Sequence, residues 1–189
     1  MLKTAFKEWA VICQALAEGT QALILRKGGI AEEGGEFRIE HNRFWLYPTY
    51  VHQQENGIQE DYRPMLQQLP EKPAAGVIRL THWAEVEGIY HVKKAGLAQL
   101  LAHLHIWSDE TVDKRFHYRQ PGLFVLVVRV YRAKDAIDIT ETQEYAGCKS
   151  WVELERELPT EGSIPVLDAK SLADIHHQLD LLLNPNALA

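Results

Sequence analysis

The stretch Gly76-Val-Ile-Arg-Leu-Thr-His-Trp-Ala-Glu-Val-Glu-Gly-Ile-Tyr-His-Val92 alternates apolar and polar residues over an unusual length. Ile78, Leu80, His82, Ala84 and Val86 fall on one face, and Arg79, Thr81, Trp83, Glu85 and Glu87 on the other. That is the period of two of a half-buried strand. Gly88 is placed for a bulge or a bend. A second run, Leu123-Phe-Val-Leu-Val-Val128, is short and apolar on both faces, which is how a strand in the middle of a sheet reads. Arg129 and Arg132 are expected to leave it at its end.

Outward from these two strands the pattern is mixed. Ala22–Leu25 reads as a short buried strand. Gly28-Gly29 and Gly34-Gly35 punctuate the next segment, where Phe37, Ile39 and His41 alternate with Arg38 and Glu40 as in another strand. Phe44–Val51 reads as the partner of that strand, bent at Pro48, which has no N–H to give a ladder. Phe6, Trp9, Ala10, Cys13 and Leu16 recur at helical spacing ahead of Gly19, so residues 3–18 read as an amphipathic helix. Further helices are expected around Tyr62–Leu69, along the Leu97, Leu100, Leu101 and Leu104 stripe, from an N-capping Ser108 to Phe116, over Ser150–Leu158 and over Ser171–Leu183. Helices at both ends with strands between them specify an α+β fold: a mixed, largely antiparallel sheet that can be barrel-like, flanked by N- and C-terminal helices.

At 189 residues the chain has the length of one domain, taken here as 1–189. With 46% hydrophobic and 24% charged residues it belongs with globular proteins. No apolar run approaches the roughly 20 residues that span a bilayer, and Lys7 and Glu8 interrupt the N-terminus where a signal peptide needs an apolar core, so a cytoplasmic location is expected. Cys13 and Cys148 match no metal quartet and are read as reduced thiols. The net charge of −6 is uneven: residues 1–134 carry 17 Lys and Arg against 15 Asp and Glu, and residues 135–189 carry 3 against 11. Any phosphate-binding surface therefore belongs to the first two-thirds.

Several constellations could carry chemistry. Arg26-Lys-Gly-Gly29 offers two cations beside glycines whose backbone lets a phosphate or carboxylate approach, although the spacing of a Walker loop is missing. Nine histidines include His41 and His52, yet neither His-Glu-x-x-His nor Cys-x-x-Cys is present, and solvated or capping histidines are the simpler reading. Glu40, Glu85 and Glu87 could gather a divalent cation, but no lysine stands two residues after the acid as a nuclease core of that kind would want. Trp45, Tyr47, Tyr50, Trp83, Trp107 and Tyr118 are interleaved with arginines and lysines, a mixture that stacks bases in some proteins and closes the core in others. Lys149 beside Cys148 could lower a thiol pKa, with no base to pair with it.

Leu25-Arg-Lys-Gly-Gly-Ile30, the Phe44–His52 block, Gly122–Tyr131 and Gly147-Cys-Lys-Ser-Trp-Val-Glu-Leu154 together resemble a bacterial family known as domain of unknown function 1802. The likeness covers nearly the whole chain and brings no activity, ligand or catalytic residue with it. The order of Trp45–Val51, Ala84–Gly88 and Val128–Arg132 is also similar to PUA-like domains of the EVE and ASCH type, a likeness that implies a compact mostly-β barrel holding a modified base or RNA.

The function expected from these residues is a non-catalytic binding module for a nucleotide, a modified base or single-stranded nucleic acid, with Arg26, Lys27, His41, Tyr47, Thr49, His52 and Arg129 near the ligand. The alternative is a divalent-metal-dependent hydrolase or nuclease, with Glu40, Glu85 and Glu87 holding the ion and His41 or His52 as general base.

Overall fold

The computed structural model describes residues 1–28, 30–33, 36–51, 53–145, 147 and 149–183, with backbone alone at 30–33 and 36–38. In chain order its elements are β1 (Leu2–Trp9), α1 (Ala10–Ala17), β2 (Leu23–Arg26), β3 (Ile30–Glu33), β4 (Glu36–Ile39), β5 (Arg43–Thr49), α2 (Pro64–Gln67), β6 (Val77–Val92), α3 (Ala95–Leu100), α4 (Asp109–His117), β7 (Leu123–Thr140), β8 (Trp151–Leu158), β9 (Ile164–Pro165) and α5 (Ala169–Leu183). Seven strands form one sheet in the order β2-β7-β6-β5-β1-β8, with β9 on β7. β1 and β5 run parallel and the other pairs of this sheet are antiparallel. The end strands β2 and β8 do not pair with each other, so the sheet is open rather than a closed barrel. β3 and β4 make a separate hairpin.

The long alternating run and the apolar run are partners: β6 lies against β7 from Val77–Thr140 to Val92–Leu123. β7 is held on its other side by β2 over Phe124–Val127, which makes its apolar half an interior strand as its composition requires. The strand does not end at Arg132 but continues to Thr140. Its outer half alternates like a surface strand, with Ile137 and Ile139 packed inward and Asp138 facing out to Arg79.

Both faces of the sheet are covered. One carries the larger core, with α1, α3, α4 and α5 packed on Leu46, Ala84, Val125 and Val127. The other carries a smaller cluster of Trp45, Tyr47, Leu80, Trp83, Tyr145 and Val152. A register shift between Leu80 and His82 exchanges the faces of β6. Leu80 and Trp83 therefore share the smaller cluster, although strict alternation would separate them. Trp83 lies flat on Tyr131 at 4.1 Å between ring centroids and 9° between planes. A second shift, between Val86 and Gly88, confirms the bulge expected at that glycine.

Three expectations are corrected. Residues 3–18 are not one helix: Leu2–Trp9 is a strand between β5 and β8, and only Ala10–Ala17 is helical. Ser150–Leu158 is not a helix but the edge strand β8. The Phe44–Val51 segment pairs with β1 and β6 instead of with the Phe37–His41 strand, whose partner is β3. The Ser108 cap holds, its hydroxyl accepting the Thr111 N–H at 3.3 Å.

Candidate ligand-binding cleft

The parallel pairing of β1 and β5 brings the carboxyl ends of two strands side by side, with Glu8 opposite Pro48 and Trp9 opposite Thr49. The start of β6 at Ile78, Glu141 beyond β7 and the segment before β8 close around these ends. They enclose a cleft of about 580 Å³ lined by Lys7, Tyr47, Thr49, Tyr50, Lys72 and Lys149, among others. Lined by aromatic side chains and a few convergent polar groups, it has the character of a small-molecule site.

The tyrosines form its apolar surfaces. Tyr47 is 1% exposed, and its hydroxyl lies 3.4 Å from the Glu141 carboxylate. Burial and that carboxylate raise its pKa far above the ordinary phenol value, so it stays a neutral donor. Burial also raises the Tyr50 hydroxyl. A lysine ammonium sits near each ring, Lys7 at 5.6 Å from the centre of Tyr47 and Lys72 at 5.3 Å from that of Tyr50. Lys7 also donates to the carbonyls of Tyr145 and Gly147, whereas Lys149 points into solvent at the rim.

The inner end is polar and charged. Thr49 Oγ1 donates to the Glu8 carbonyl at 3.0 Å, and the Glu8 carboxylate accepts the Trp9 N–H at 2.8 Å. Burial pushes the Glu8 carboxyl up, and the guanidinium groups of Arg115 and Arg26 pull it part of the way back. Arg115 itself lies 3.7 Å over the Trp107 ring and donates to the Leu25 carbonyl.

The residues expected from the sequence divide among several places. Tyr47 and Thr49 line the cleft. Arg26 and His41 meet across Trp151: the Arg26 guanidinium lies 4.7 Å over Phe6 and 5.2 Å over Trp151, and the His41 ring meets the Trp151 edge at 5.3 Å. Lys27 is at another end of the sheet, its ammonium donating to the carbonyls of Phe116, Gln120 and Gly122. Arg129 pairs with Glu87, which also lies 3.9 Å from His176 on α5. His52 and Cys148 lie outside the described residues.

The three acids of the metal reading are engaged separately. Glu40 is 3.7 Å from His41, Glu85 sits in cross-strand register with Arg43 and Arg129, and Glu87 is held by Arg129. Among the described residues no group of three or more His, Cys, Asp or Glu is placed to hold a metal ion. Also among the described residues, no helix is long and apolar enough to cross a membrane.

Lys72, Glu141 and Glu8 were not legible as site residues. Lys72 stands in a proline-flanked connection with no periodicity, and Glu141 follows a strand that reads as ending nine residues earlier. Glu8 lies in a stretch that reads as helix, and only the strand pairing of β1 brings it beside the end of β5.

Three solved structures illustrate what the chain resembles. The crystal structure of ASCH from Zymomonas mobilis is 10% identical with a TM-score of 0.45, over 92% of this chain and 93% of that one. A serine-to-alanine variant of that protein gives 10% and 0.47 over 93% and 94%, and a tyrosine-to-phenylalanine variant 11% and 0.46 over 93% and 96%. No curated protein matches the chain. The model of the family described as Domain of unknown function (DUF1802) matches residues 5–178, and the chain belongs to that family.

Proposed function

We propose that the cleft between Tyr47, Tyr50, Lys72 and Lys149 binds a nucleotide, a modified base or single-stranded nucleic acid, and that the protein is a binding module. The observation that carries this reading is the pairing of two tyrosine rings, each with an ammonium group within 6 Å, inside one cleft of nucleotide size. The half-exposed Tyr50 ring can stack a base, with the buried Tyr47 behind it as the wall of the cleft, and lysines at the rim hold its phosphate. The Thr49 and Tyr47 hydroxyls, whose hydrogens go to the Glu8 carbonyl and the Glu141 carboxylate, keep lone pairs to accept from a base edge. Tyr47 and Thr49 are thus the two sequence-expected residues proposed to touch ligand.

Trp9 lines the same cleft and serves as an intrinsic reporter. Titration with nucleoside monophosphates at low salt should change the tryptophan emission with micromolar affinity. The Lys72→Ala/Lys149→Ala double variant should weaken binding and flatten its salt dependence. An emission that stays constant to millimolar nucleotide, or affinity indifferent to both lysines, would remove the proposal.

A further inference from the structure

Trp9 is a wall of two cavities. On one side lies the cleft, and on the other a cavity of about 240 Å³ lined by Gln54, Asn56, Gly57, Thr111, Lys114 and Arg115. The Trp9 indole is fixed. Trp107 packs on it at 4.8 Å between centroids, and Gly57 leaves the space it occupies, since a Cβ there would fall 2.7 Å from two indole carbons. An aromatic side chain shared by two hollows, each with basic side chains, is a shape that a single base does not use.

The second hollow shares Trp9 and basic side chains with the first. Arg115 forms part of its wall and Lys114 its rim, with Glu110 2.6 Å from the Lys114 ammonium. The Gln54 and Asn56 amides supply both donors and acceptors, which is what reading a base edge requires. Cation, aromatic face, cation is the order in which a nucleic-acid strand presents phosphate, base and phosphate.

Building on the cleft reading, we infer that the ligand is a single-stranded oligonucleotide of two or more nucleotides. It runs from the Tyr47–Tyr50 cleft over the Trp9 ridge into the hollow of Asn56, Lys114 and Arg115. A free mononucleotide occupies only the first half of this path.

The test compares a mononucleotide, a dinucleotide and a tetranucleotide of the same base at low salt, on the full chain and on its Asn56→Ala/Lys114→Ala variant. Lys114 is exposed on α4, so the fold is expected to survive, and circular dichroism checks it. The tetranucleotide should bind on the order of 10-fold tighter than the mononucleotide, as one added stacked base allows. The variant should lose that gain and keep its mononucleotide affinity. Equal affinities across the three lengths, or a gain untouched by the variant, overturns the strand path and leaves the cleft reading standing. Absence of binding by all three ligands defeats the cleft reading, and the path with it.

Discussion

Gly57 and Trp9 compete for one volume: a Cβ built on Gly57 lies 2.7 Å from the Cη2 and Cζ3 atoms of the indole. The Gly57 backbone cannot yield, because its N–H donates to the Gln54 carbonyl at 3.1 Å and its carbonyl accepts the Ser108 N–H at 2.9 Å. Gly57→Ala should therefore displace the indole. Overpacking of this kind costs about 1–3 kcal/mol, and the tryptophan emission should shift with it. Urea denaturation and the emission spectrum check both effects. A variant with unchanged stability and unchanged emission would show that Trp9 is not confined as described.

Lys27 fixes the turn after α4. Its ammonium gathers the carbonyls of Phe116, Gln120 and Gly122 around a segment in which Arg119 adopts φ 62° and Gly122 φ 131°. Lys27→Met removes the donor for three carbonyls and should destabilise the protein by about 1–3 kcal/mol. Nucleotide affinity of the cleft should be unaffected. Lost affinity at unchanged stability would instead return Lys27 to the ligand site.

Acid should weaken the fold through His105. The ring is 2% exposed, and burial, helped by the Arg115 charge, lowers its pKa to about 4. A histidine whose folded pKa lies below its unfolded value favours the folded state when neutral. That contribution is complete above about pH 6.5 and is lost as pH falls toward 4. Between pH 7 and pH 5 it amounts to about 2 kcal/mol for this one group. His105→Leu should flatten the stability profile in that window, as urea midpoints at the two pH values will show. An equally steep profile in the variant would assign the acid sensitivity elsewhere.

The sequence announced the strands whose side-chain period is set by burial and hid those set by pairing. Val77–Val92 and Leu123–Val128 were legible because alternation and a two-faced apolar run leave few other readings. Leu2–Trp9 was not, since Phe6, Trp9, Ala10, Cys13 and Leu16 fit a helical stripe and only the neighbours β5 and β8 make a strand of its first part. For Trp151–Leu158 the signal was present: Val152, Leu154 and Leu158 are buried, while Glu153, Glu155 and Glu157 face out. The site suffered from the first of these errors, because the cleft is built where β1 and β5 end side by side. Of the residues lining the proposed cleft, Tyr47 and Thr49 stand in a locally aromatic stretch, and Glu8, Lys72 and Glu141 required the topology.

Backbone amide NMR shifts on titration with a short oligonucleotide test the cleft most directly. Binding at the proposed site moves the signals of Thr49, Tyr50, Lys72 and the Trp9 indole N–H, and leaves those of Arg129, Glu87 and His176 in place. Shifts confined to the Arg129–Glu87–His176 surface, or to the Lys27 turn, would contradict it.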